Sequence, residues 1–180
     1  MLRILSFLIL LISLASCESK LGKFEKDVQF SKATNDTVQK LLHELDTNEV
    51  LELRGKSKMM LLNFNIELGN DTLDIETAKE IDVFIRAYRA TDFFTTEIKN
   101  LAKAQQEQKK RLKLLQSDIE NGAGDRTLYY ESVQFELKEA TEIRKHSRNL
   151  EKQFIEFKHS YEQFKPIFER FKVEHSPSMQ

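Results

Sequence analysis

Cysteine is nearly missing from this chain of 180 residues: Cys17 is the only one. A single thiol cannot close an internal disulfide, so a cross-linked scaffold is excluded. Proline and glycine are scarce as well, at two and five residues. No strand-and-turn rhythm competes with the long stretches rich in Glu, Lys, Gln and Leu, and the composition therefore leans towards helix. A hydrophobic run long enough to span a bilayer is also lacking. The run Ile4 to Leu14 is interrupted only by Ser6 and Ser13; it has about a dozen residues, and a spanning helix needs roughly 20. Neither sign of charge dominates, with 28 basic and 29 acidic residues and a net charge of -1. What is present, 40% apolar and 32% charged residues, matches one ordinary domain able to bury a core.

The first residues have a different logic. Met1-Leu2-Arg3 is a short positive region, followed by the apolar run and then by small residues, the pattern of a secretory signal over residues 1–16. Leu14-Ala15-Ser16-Cys17 resembles the lipobox of bacterial lipoproteins, an aliphatic residue, two small residues and cysteine. The resemblance covers the first 17 residues only. It implies that the Cys17 thiol carries diacylglycerol, that the peptide before it is removed, and that the new amino terminus is acylated. The physical argument runs the same way, because a lone free thiol in an oxidising compartment is a liability that lipidation removes. Each buried methylene is worth about 0.8 kcal/mol, so two or three acyl chains hold a protein on a bilayer almost permanently. The expected location is the cell envelope, anchored to a bacterial membrane, inner or outer; the rival reading is ordinary cleavage and release. Residues 17–33, sparsely apolar, read as the lipidated start and an extended tether reaching on the order of 50 Å.

Residues 34–174 carry the expected fold, all-α: a long antiparallel coiled-coil hairpin with a shorter third helix packed on it, a three- to four-helix bundle. One seam runs from Tyr129 through Val133, Glu136, Ala140, Ile143, Ser147, Leu150, Phe154, Phe157, Tyr161, Phe164 and Phe168 to Phe171, in alternating steps of four and three. A second runs from Phe84 to Ile119 through Thr91, Phe94, Ile98, Leu101, Gln105, Gln108, Leu112 and Leu115. Between them, Asn121 and Gly122 suit a helix end, and Asp125 or Thr127 a cap. Folded back, the seams pair Ile119 with Tyr129, Leu115 with Val133, Ile98 with Leu150, Phe94 with Phe154 and Phe84 with Phe164. Upstream, Asn35 or Asp36 is expected to cap the third helix, which carries Val38, Leu41, Leu45, Met59, Leu62 and Ile66. A break is expected near Thr47 or Gly55, and an end at Gly69 and Asn70. Pro166 predicts a kink or short break near Phe164. Residues 175–180 read as a frayed tail.

No chemistry-bearing constellation emerges. Glu156 and His159 have the spacing of helical di-iron ligands, but the second copy is missing and the seam turns both outward. His43-Glu44 lacks the second histidine of a zinc protease helix, and His146 and His175 have no partner at ligand spacing. Gly122-Ala123-Gly124 joins helix to helix and reads as a turn, and no serine sits in a nucleophile elbow. The chain therefore reads as non-enzymatic, with no catalytic residue, cofactor or metal. Charge is more suggestive. Glu97 to Lys113 and Leu137 to Lys152 together hold 11 basic and five acidic residues. Lys99, Lys103, Lys109, Lys110, Arg111, Arg144, Lys145, Arg148 and Lys152 are expected to form a positive belt that contacts an anionic surface such as lipid headgroups. Nucleic acid is not expected as a partner of an exported chain with this charge and no matching motif. The leading functional reading is a lipid-anchored scaffold or interaction module that binds another envelope protein, or itself, through helix surface at the hairpin tip or the polar seam. The alternatives are a carrier of an amphiphile between the aromatic-lined helices and a metal-dependent enzyme.

Overall fold

The computed structural model describes residues 2–68 and 73–175, with side chains described over 22–65, 73–125 and 127–171. It is all-α, with no strand among the described residues. The elements are α1 (Leu2–Glu44), α2 (Thr47–Leu68), α3 (Ile75–Ala90), α4 (Phe94–Asn121), a 3-10 turn (Arg126–Leu128) and α5 (Tyr129–His175). The chain divides into two compact units: Met1–Leu42 with Asn100–Ser147, and His43–Lys99 with Arg148–Gln180. Each unit is a small helical bundle.

In the first unit, α4 and α5 run antiparallel, and α1 lies along them antiparallel to α4. The turn between α4 and α5 is specified by backbone chemistry. Gly122 ends α4 at φ 61 and Gly124 follows at φ 81, a region that costs a side chain 1–2 kcal/mol or so. The amides of Gly122 and Ala123 donate back to the carbonyls of Ile119 and Asp118 at 3.3 and 2.9 Å, the double return that closes a helix on glycine. Asp125 then accepts from the amide and hydroxyl of Thr127 at 2.9 and 2.7 Å and opens the next turn. The Tyr129 hydroxyl reaches the carbonyls of Asp118 and Ala123, so the first residue of α5 satisfies the end of α4. Beneath the turn, Leu112, Ile119, Tyr129 and Val133 form a buried cluster with Val28 of α1, edged by Phe24, Leu115 and Leu137.

Val28 corrects the expectation for residues 17–33. Over its described side chains this stretch is helix, not extended tether, and Val28 and Ser31 are buried. Its apolar residues Phe24 and Val28 are spaced to put one narrow stripe on the α4–α5 pair. Asn35, expected to start a helix, lies in the middle of α1 and is buried. There it completes the polar part of the seam. Its amide donates to the Gln105 carbonyl at 2.9 Å and the Gln108 side chain at 3.1 Å, and it accepts from Gln105 at 2.7 Å. Gln108 passes the chain on to the Glu136 carbonyl at 3.0 Å. Of the polar seam residues, Gln105 and Gln108 are thus engaged by the chain's own α1, while the Glu136 carboxylate is bound by Arg111 of α4.

The second unit holds the aromatic half of the seam. Phe84 of α3 stacks on Phe164 of α5 with ring centroids 4.3 Å apart. Phe94 meets Phe154 at 5.7 Å, and Phe64 of α2 lies against Phe164 and Phe171 at 5.9 and 4.8 Å. The expected pairings 84–164 and 94–154 are therefore contacts. The upstream seam is two helices, not one: α3 ends at Ala90 and α4 begins at Phe94. Thr91 donates its hydroxyl to the Tyr88 carbonyl at 2.7 Å, a local bond that competes with helix continuation. Arg54 of α2 holds the corner: it donates to the Tyr88 carbonyl at 2.9 Å and to Thr91, pairs with Asp92 at 2.6 Å, and lies over the Tyr88 ring.

The upstream helix also breaks, at Asp46, whose carboxylate accepts from the Asn48 amide at 2.8 Å and caps α2. Gly55 does not interrupt α2. The break expected near Phe164 does not occur either; α5 continues through Pro166. Phe164, Ile167 and Phe168 are all buried, and their packing on both sides of the proline holds the helix where local propensity would end it. Gly69 and Asn70, proposed as a helix end, and the tail after His175 lie outside the described residues.

Candidate interaction surface

The nine belt cations fall in both units. Lys103, Lys109, Lys110, Arg111, Arg144 and Lys145 belong to the first, and Lys99, Arg148 and Lys152 to the second. Four have carboxylate partners among the described residues. Lys109 meets Asp36 at 3.5 Å and the Gln39 side chain at 3.1 Å. Arg111 binds Glu136 at 2.6 Å and also Glu139. Lys103 lies 4.0 Å from Glu107, and Lys152 3.5 Å from Glu156. The hydrogen bond that the Arg111 guanidinium donates to Glu136 raises its pKa above the ordinary arginine value, against a smaller opposing effect of burial. Lys99, Lys110, Lys145 and Arg148 are exposed and Arg144 is half-buried. Cys17 lies among residues whose side chains are not described.

On the first unit, α4 and α5 leave an open groove of about 480 Å³, lined by Leu114, Leu115, Ser132 and Phe135 with Arg111, Asp118, Glu131 and Glu136. Leu114 is 66% exposed and Phe135 57%. The Arg111 guanidinium lies 5.6 Å from the Phe135 ring and is neutralised by Glu136 and Glu139. Asp118 and Glu131 form no salt bridge among the described side chains, so the groove is apolar with a negative edge. Glu131 sits in the first turn of α5, where the helix dipole favours a carboxylate, and Asp118 in the last turn of α4, where it does not. Sequence reasoning missed this surface because it followed the seam. Leu114 and Phe135 are large apolar residues beside seam positions, and that displacement was the available signal.

The second unit shows a different apolar surface. α2 buries Val50, Ser57 and Phe64, yet Leu51, Met59 and Leu62, on its opposite side, are each more than half exposed. Gly55 lies among them, with nothing within 4 Å of where a Cβ would stand. Lys58 is exposed in the same row, and Lys56 on its edge pairs with Glu52 at 2.6 Å. A helix apolar on two opposite sides is normally covered on both.

The other sequence candidates stay apart. Glu156 and His159 are exposed on α5, as is His43 on α1. No group of three His, Cys, Asp or Glu among the described residues could hold a metal ion. No described helix is long and apolar enough to cross a membrane. No protein-family model matches the chain, and neither a curated protein nor a solved structure does.

Proposed function

We propose that the chain is a non-enzymatic, lipid-anchored protein of the cell envelope whose helical bundles serve as an interaction module. Cys17, following the signal-like residues 1–16, is the point of acylation. The observation that carries the interaction reading is the groove between α4 and α5, where Leu114 and Phe135 stand exposed on a scaffold fixed by buried hydrogen bonds. Such a groove accepts the apolar side of a further helix. The aromatic residues of the second unit favour a module over an amphiphile carrier, because Phe84, Phe157 and Phe164 are fully buried and pack ring on ring.

The anchor is tested with Cys17→Ala in producing cells. The variant is expected to leave the membrane fraction and to lose incorporation of labelled fatty acid; unchanged fractionation and labelling would remove the anchor from the account.

A further inference from the structure

We propose that the occupant of the α4–α5 groove is α2 of a second copy of this chain, so that copies join head to tail. The inference rests on the reading of the chain as an interaction module, but not on the lipid anchor. Two exposed apolar surfaces need cover, and they differ in kind: one is a concave groove, the other the convex side of a single helix. The groove extends from Arg111 to Asp118 along α4, two helical turns or about 10 Å. Leu51, Gly55 and Met59 recur every four residues on α2 and span about 12 Å. Gly55 carries no side chain to hold α2 off the groove walls.

Charge is complementary as well. The groove's arginine is already neutralised, and the carboxylates of Asp118 and Glu131 have no salt bridge among the described side chains. On the α2 row, Lys58 stands between Leu51 and Leu62 and has no carboxylate partner among the described residues. A contact between unlike surfaces does not close on itself as a two-fold contact does. Each added copy presents a fresh groove and a fresh α2 row, so the copies form a closed ring or an open chain according to the rotation between them.

The test uses the full chain in producing cells. One tagged copy carries a photoreactive phenylalanine analogue in place of Leu114, and a second copy bears a different tag. Irradiation should join the two tags in a product of twice the chain mass, with the cross-link mapped to peptides from α2. Met59→Glu in the second copy only, at an exposed position, should lower that product at least tenfold at equal abundance of both copies. Lys58→Glu should weaken it, and pairing Lys58→Glu with Asp118→Lys and Glu131→Lys in the photoreactive copy should restore it. No two-tag product, a cross-link mapped to α4 or α5 of the second copy, or indifference to both substitutions overturns the proposal. Capture of a different protein at position 114 also overturns it, while leaving the interaction-module reading standing.

Discussion

Single residues decide whether the interior is consistent. Asn35 is the clearest, since one buried amide satisfies both Gln105 and Gln108. Asn35→Ala would leave those groups buried and unpaired, and chemical denaturation is expected to show a loss of about 1–3 kcal/mol. An unchanged midpoint would mean that water replaces the amide. Asp74 caps α3 by accepting from the Thr77 amide at 2.9 Å, and hydrogen bonding from the Thr77 side chain, with a smaller effect of that amide, holds its carboxyl below the usual 3.8. The folded state therefore binds this proton less readily than the unfolded state. The cap's contribution is complete above pH 3.8 and is lost as the pH falls through the lower folded value. The Thr77 amide resonance should report this transition on acid titration, and Asp74→Asn, which keeps an acceptor, should abolish it. The sequence showed that Gln105, Gln108 and Glu136 interrupt the seam, but not that a single asparagine some 70 positions upstream completes them. A polar residue's partner is a fact of tertiary structure, and an asparagine before a helical stretch looks the same whether it caps or is buried.

At the scale of elements, the heptad rows gave the pairing of α4 with α5 and of Phe84 with Phe164, because repeat and turn chemistry point the same way. They did not reveal the break at Thr91, since the short hydrogen-bonded turn keeps Thr91 and Phe94 on the buried side. Arg54 explains what holds that corner. Arg54→Lys keeps the charge but not the planar fork that reaches a carbonyl, a hydroxyl and a carboxylate together. A loss of about 1–3 kcal/mol is expected in thermal unfolding, with no rescue relative to Arg54→Ala. At Pro166 local propensity argued for a kink or a short break, and packing keeps the helix unbroken there. The proline ring leaves the Glu162 carbonyl without its helical donor. Pro166→Ala is therefore expected to stabilise the protein by up to about 3 kcal/mol. A destabilised variant would show that the ring itself is packed to advantage. The α4–α5 groove escaped the sequence reading because Leu114 and Phe135 lie beside the seam rows, where an apolar residue was not followed.

Across the whole molecule, a net charge of -1 gives no long-range pull towards an anionic surface, so any attraction must be local. If the belt contacts lipid headgroups, its cations cannot count equally. Lys110 and Lys145 are exposed without a carboxylate partner among the described residues, whereas Lys109 is held by Asp36. For the chain bearing Cys17→Ala, Lys110→Gln or Lys145→Gln should weaken binding to anionic vesicles, each by up to about 1 kcal/mol at low salt, and Lys109→Gln should weaken it less. Equal binding to neutral and anionic vesicles would dismiss the belt. The path of α1 has a mechanical side. Traction on its amino end would act along the helix axis, against an α4 that runs the opposite way. The bonds from Lys32 to Gln116, Asn35 to Gln105 and Gln108, and Lys109 to Gln39 lie side by side across that seam. They would be sheared together instead of being unzipped in turn, so α1 would act as a strap that resists peeling.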